Sequence, residues 1–172
     1  ALAPGVASYT AALLAQTAVP AWNEVRRELP FVFTGSATAS GGGLGLLFAP
    51  VAEAGPARRL AATGAAVELV ASRLIDRRPG VVTEAYTTGQ AHRLRRVAEY
   101  VTLGGGITAA TLARRSRTAA VAAGVALLAG SALQRFSTFE AGVASTKDPK
   151  YVVQPQRERL DAANRARERQ AS

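Results

Sequence analysis

The chain has 172 residues, the length of one domain, with 21 Lys+Arg against 12 Asp+Glu and a single His. Having no Cys, it can hold no disulfide framework, thiolate zinc site, iron–sulfur cluster or cysteine nucleophile of its own. Alanine and glycine fill almost a third of the positions and aromatics only 6%, which is poor material for a water-soluble core and good material for close helix packing in lipid.

A net charge of +9 raises nucleic acid as a partner, but the basic residues are almost all Arg and fall in the breaks between apolar stretches. Loop charges of membrane proteins are placed in this way, so no nucleic-acid binding is expected. A start at Ala1 without Met predicts a fragment or a processed chain. The mean hydropathy of +0.08 keeps a soluble helical bundle as the competing reading.

In chain order, residues 1–19 carry no charge and run into Pro20 and Trp22, which predicts a first span with an interfacial Trp. Residues 31–49 are a second uncharged stretch between Pro30 and Pro50, with Gly41, Gly42, Gly43 and Gly45 as packing positions. A third span starts after Arg58 and Arg59 and ends at Arg73 and Asp76, and crosses only if its arginines snorkel. Residues 79–96 form the longest loop, with a Pro79-Gly80 turn, His92 as a solvated residue and the Arg93, Arg95, Arg96 cluster. Val97 to Ala113 and Thr118 to Gln134 are the fourth and fifth spans, joined into an antiparallel hairpin by Arg114, Arg115, Ser116 and Arg117.

These features predict an all-α integral membrane bundle of five transmembrane helices near 1–21, 31–50, 56–76, 94–113 and 117–137. The bundle occupies 1–145. A basic cytoplasmic tail fills 146–172, with a short helix from Arg157 onward and a frayed end. Alternating sides puts 15 basic residues in the loops 20–30 and 73–96 and the tail, against 5 on the other face, so the multi-pass chain in the cell membrane has a cytoplasmic C-terminus.

Polar groups inside spans carry the functional information, because each is costly in lipid. Tyr9 and Gln16 lie two helical turns apart with Thr17 beside them, a stripe able to hydrogen-bond a quinone carbonyl; an interfacial Tyr and a satisfied Gln fit the same residues. Glu68 lies in the third span as a proton-relay carboxylate or as the buried partner of an arginine. Glu99 and Tyr100 read as interfacial, and Arg135 with Glu140 as a structural pair. One His rules out a bis-histidine haem within the chain, and no metal site is expected.

The run Tyr9-Thr10, Leu13-Leu14, Thr17-Ala18-Val19-Pro20 and Trp22, followed by Glu28-Leu29-Pro30, resembles the later half of the NrfD/polysulfide reductase membrane-subunit family. The ending resembles it too, in Leu133, Arg135-Phe136, Phe139-Glu140-Ala141-Gly142, Ala144-Ser145, Asp148-Pro149-Lys150-Tyr151 and Pro155-Gln156-Arg157. The resemblance implies the last five helices of an eight-helix subunit that exchanges electrons between menaquinone or ubiquinone and a ferredoxin-like iron–sulfur subunit, itself bound to a molybdopterin catalytic subunit. It also implies that Tyr9 stands at the quinone-binding tyrosine and Glu68 on the proton path. Two other functions remain at this point: half of a transporter or channel, built around broken Gly-rich helices, and a ligand-free membrane scaffold.

Overall fold

The structure, a computed structural model, describes residues 3–78, 80 and 84–171. Ala1, Leu2, the Pro79 of the expected turn and Ser172 lie outside the described residues. Every regular element is helical, with no strand among the described residues. The helices are α1 (Ala3–Ala15), α2 (Pro20–Glu24), α3 (Leu29–Phe48), α4 (Gly55–Asp76), α5 (Glu84–Thr87), α6 (Gly89–Ala110), α7 (Arg117–Lys147) and α8 (Lys150–Ala171). A single 3₁₀ turn, Leu112–Arg114, lies in the link between α6 and α7.

Four long helices make the body. α3 packs on α4, α4 on α6, α6 on α7, and α7 closes the ring on α3, while α1 lies outside against α3. The approach is close because small residues face one another: a β-carbon added at Gly42 would strike the backbone of Ala61, and one at Gly64 the backbone of Ala39. Gly43 meets Gly124 and Leu127, and Gly106 meets Ala65. The glycine runs are thus packing surfaces in part, since Gly41 and Gly104 face open space.

The interior is partly polar and part of the surface is apolar. Beside a core of Ala, Leu and Val, the interior holds Ser36, Glu68, Ser72, Arg95, Glu99, Thr102, Ser131, Gln134, Ser137 and Thr138. Large apolar residues point outward on the four bundle helices, including Phe31, Leu44 and Phe48 on α3, Val67, Val70 and Leu74 on α4, Leu103 and Ile107 on α6, and Phe136 and Phe139 on α7. Such a surface suits lipid better than water.

Two helices, α3 and α7, are long and apolar enough to cross a membrane by length and composition. α4 and α6 have the length, but each carries Arg and acidic residues along its course. The expected span boundaries need correction at three places. α1 ends at Ala15 rather than near 21, because Thr17 Oγ1 donates to the Leu14 carbonyl and Asn23 Nδ2 to that of Ala15, and Pro20 cannot extend the helix. α7 continues unbroken through Arg135 to Lys147. Much of the expected loop 79–96 is helical, with α5 and an α6 that starts at Gly89 and takes in a half-buried His92.

The tail also differs from expectation. It is helical from Lys150 through Ala171, a sequence rich in good helix formers, with Tyr151 buried at its start. At the other end of the bundle, Arg117 donates to the carbonyls of Leu46 (2.9 Å), Leu47 and Ala49 (3.0 Å), closing the C-terminus of α3 with a cation where the helix dipole favours one. Trp22 Nε1 donates to the Thr138 carbonyl at 2.8 Å and its ring lies against Gly142, tying the short α2 to α7.

Candidate functional site

The most unusual chemistry lies where α3, α4 and α7 meet. Glu68 is 3% exposed in the middle of α4. Gly35 on α3 lets the two helices approach at that level, where it lies against the Glu68 backbone. The Ser36 hydroxyl and the Arg135 charge both act on it. Ser36 Oγ donates to Ser131 Oγ at 2.9 Å, and Arg135 Nη1 donates to the hydroxyl of Ser131, to its carbonyl at 3.1 Å and to Ser36 Oγ at 3.4 Å. Arg135 also lies over the Phe33 ring, 5.8 Å from its centre. Glu68 Oε2 is buried with no hydrogen-bond partner among the described residues. A buried carboxylate oxygen left unmatched is expensive, and it survives in proteins mainly where the group has work to do.

A second polar layer adjoins the first. Glu68, Ser72 and Asp76 recur every four residues, so they form one stripe on α4, rising about 6 Å per step toward the helix end. Arg95 on α6, 3% exposed at its side chain, closes this stripe: its Nη2 donates to the Ser72 carbonyl and lies 2.8 Å from Asp76 Oδ1. Arg95 Nε lies 3.4 Å from Glu99 Oε1 as a charge contact without hydrogen-bond alignment, which leaves Nε and Nη1 unmatched. Thr102 Oγ1, buried beside Gly130, is likewise unmatched. Asp76 itself reaches the surface, with 36% of its side chain exposed. The polar interior therefore runs from an enclosed acid to an exposed one.

The expected site residues are separated by this arrangement. Tyr9 is 62% exposed on the outer side of α1, away from Glu68. Gln16 lies past the end of α1 and is exposed, so it does not continue the helical face of Tyr9. Thr17 lines a surface cavity of about 210 Å³ with Pro20, Asn23, Glu24, Tyr151 and Gln156. Two other expectations are corrected. Glu99 is buried rather than interfacial and faces Arg95, and Arg135 turns inward to the serines rather than to Glu140.

The residues that sequence reasoning missed are Ser36, Ser131, Arg135, Arg95 and Thr102. A signal existed for α7: Ser131, Gln134 and Thr138 recur at the three-to-four spacing of a single helix face, with Ser145 two turns further on. No such periodicity marks Ser36, which becomes informative only once α3 is laid against α4 and α7.

Outside the bundle interior, Tyr86 of α5 is buried and donates to the Ala21 carbonyl at 3.1 Å. Burial pushes its phenol well above the ordinary range, against the opposing charge of Arg95, so it stays a neutral donor. Arg78 joins the same end of the molecule together, 2.8 Å from Glu28 Oε1 and donating to the Glu24 carbonyl at 2.9 Å. No group of His, Cys, Asp and Glu able to hold a metal ion exists among the described residues. No family model, curated protein or solved structure matches this chain.

Proposed function

We propose that this chain is the greater part of a membrane-embedded subunit of a quinone-linked oxidoreductase, in which Glu68 passes protons through the bundle interior. The observation that carries the reading is the enclosed Glu68 with one oxygen unmatched, at the head of the Glu68–Ser72–Asp76 stripe that reaches the surface. A carboxyl group accepts and releases a proton on either oxygen, and hydroxyls and backbone carbonyls beside it can hold connecting water. The outward-facing Phe, Leu and Val of all four long helices support a lipid environment for α4 and α6 as well as for α3 and α7. In this reading α1 and the segment to Pro20 make a fifth passage, and the Asp76 end with α8 faces the cytoplasm.

Electron transfer rests on the sequence resemblance. Quinone binds at the outer face of α1, where exposed Tyr9 donates a hydrogen bond to a quinone oxygen and further helices of a larger bundle complete the pocket. Electrons leave to the clusters of a ferredoxin-like subunit and reach a molybdopterin subunit, and the present chain supplies the quinone contact and the proton route.

The test is quinol-dependent turnover of the assembled complex with Glu68→Gln and Glu68→Leu. Gln keeps shape and hydrogen bonding but cannot titrate, so it should assemble normally and lose about 100-fold in turnover. Normal turnover with Glu68→Gln, combined with failed assembly of Glu68→Leu, would make the carboxylate a packing element and end the relay reading.

A further inference from the structure

On the outside of the bundle, a groove of about 450 Å³ runs between α4 and α6, lined by Leu69, Val70, Leu74, Tyr100 and Leu103, with Arg73, Arg77 and Arg96 at its rim. We infer that this groove holds an anionic phospholipid, its phosphate between Arg73, Arg77 and Arg96 and an acyl chain along Leu74, Val70 and Leu103. The inference rests on the membrane reading above, but not on quinone or proton transfer.

The sequence builds the groove from two helical stripes. Val70, Arg73, Leu74 and Arg77 share one face of α4 and its C-cap, and Arg96, Tyr100 and Leu103 share one face of α6. Both stripes change from apolar to basic in the same direction, toward the Asp76 end of the bundle. That gradient matches a lipid whose tail lies deeper than its headgroup.

The charge balance at the rim is strongly positive. Glu99 also lines the groove, but it faces the Arg95 guanidinium, which lies 2.8 Å from Asp76 as well, so the interior arginine answers both acids. Arg73 and Arg77 have neither an ion pair nor a side-chain hydrogen bond among the described residues. Arg96 is aimed rather than neutralised: its Nη2 donates to Tyr100 Oη at 2.8 Å and the guanidinium lies 5.2 Å from that ring's centre. Three exposed arginines line this one groove, and the planar fork of each can present N–H donors to phosphate oxygens. The other large groove, between α3 and α4, has an apolar lining of Phe31, Val67, Val70 and Leu74 and only one lining cation, Arg27, its Glu28 being answered by Arg78.

The experiment uses the purified full chain, titrated in detergent with dioleoyl phosphatidylglycerol or dioleoyl phosphatidylcholine and read by native mass spectrometry. Wild type should retain phosphatidylglycerol in preference to phosphatidylcholine, and the preference should fall about fivefold for each of Arg73→Gln, Arg77→Gln and Arg96→Gln. Arg114→Gln and Arg115→Gln, which remove the same charge from the opposite end, should leave it unchanged. Photoactivatable phosphatidylglycerol on the wild type should attach to α4 and α6 peptides, a readout that needs no variant to fold. Equal retention of the two lipids, or attachment elsewhere, overturns the proposal. Alkaline extraction separates the two levels: a chain that stays in the membrane without lipid preference refutes the lipid site alone, and a chain released as soluble protein refutes the membrane reading too.

Discussion

Gly35 lies directly against the backbone of Glu68, so that a β-carbon at position 35 would come 2.5 Å from the Glu68 nitrogen and 2.9 Å from its Cα. The missing side chain is what lets α3 and α4 come this close at the level of Glu68. Gly35→Ala must push the two helices apart, because the obstacle is backbone and cannot rotate away, at a cost of about 1–3 kcal/mol. Gly104 faces open space on α6, and Gly104→Ala should instead be neutral or stabilising by about 0.5–1 kcal/mol. Unfolding of both variants in detergent, followed by circular dichroism, checks the contrast; a loss of equal size at the two positions would remove the close approach as the cause.

Arg95 stands between two acids in a buried layer, with Ser72 beneath it. Arg95→Met keeps much of the volume but takes from buried Glu99 its ion-pair contact, and the expected loss is about 3 kcal/mol or more. The double variant Arg95→Met with Glu99→Gln should recover part of that loss, since the stranded charge is gone. A double-mutant cycle on detergent unfolding measures the recovery, and strict additivity would show that the pair is not coupled.

Arg117 should matter to one helix end alone. Arg117→Ala leaves the carbonyls of Leu46, Leu47 and Ala49 without their shared donor and should cost about 1–2 kcal/mol. Hydrogen exchange should rise in the last turn of α3 while the amides around Glu68 stay protected, and a uniform rise across the bundle would contradict a local role.

Sidedness can be read with single cysteines, because the native chain has none. Thr111→Cys, exposed in the α6–α7 link, should react with an impermeant thiol reagent in intact cells, and Gln154→Cys, exposed on α8, only after permeabilisation. The opposite pattern would invert the topology, and the same pattern at both sites would mean that α7 does not cross.

The sequence by itself determined that the chain is helical and where α3, α4 and α7 begin. Uncharged runs bounded by Pro and Arg clusters announce α3 and α7, and the basic link at 114–117 announces the turn between α6 and α7, because these signals are local. Glu68 was also legible, since an acid within an apolar run stands out against its neighbours. Local signals could not say how far helices continue. α1 stops at Ala15 under two side-chain caps, one of them from Asn23 eight residues on, and α7 passes through Arg135 because the guanidinium finds Ser131 and Ser36 in the interior.

Only the tertiary structure decided which polar groups meet. Ser36 and Ser131 are 95 residues apart, and Arg95 reaches Ser72 across 23. Those pairings follow from which helix faces come into contact, and that in turn follows from where a missing β-carbon allows backbone to touch backbone, as at Gly35, Gly42 and Gly64. A stripe of Ala, Gly and Ser is nearly uniform in hydropathy, so periodicity cannot tell its packed side from its free side. The shape of the neighbouring helix makes that distinction, and shape exists only in the assembled bundle.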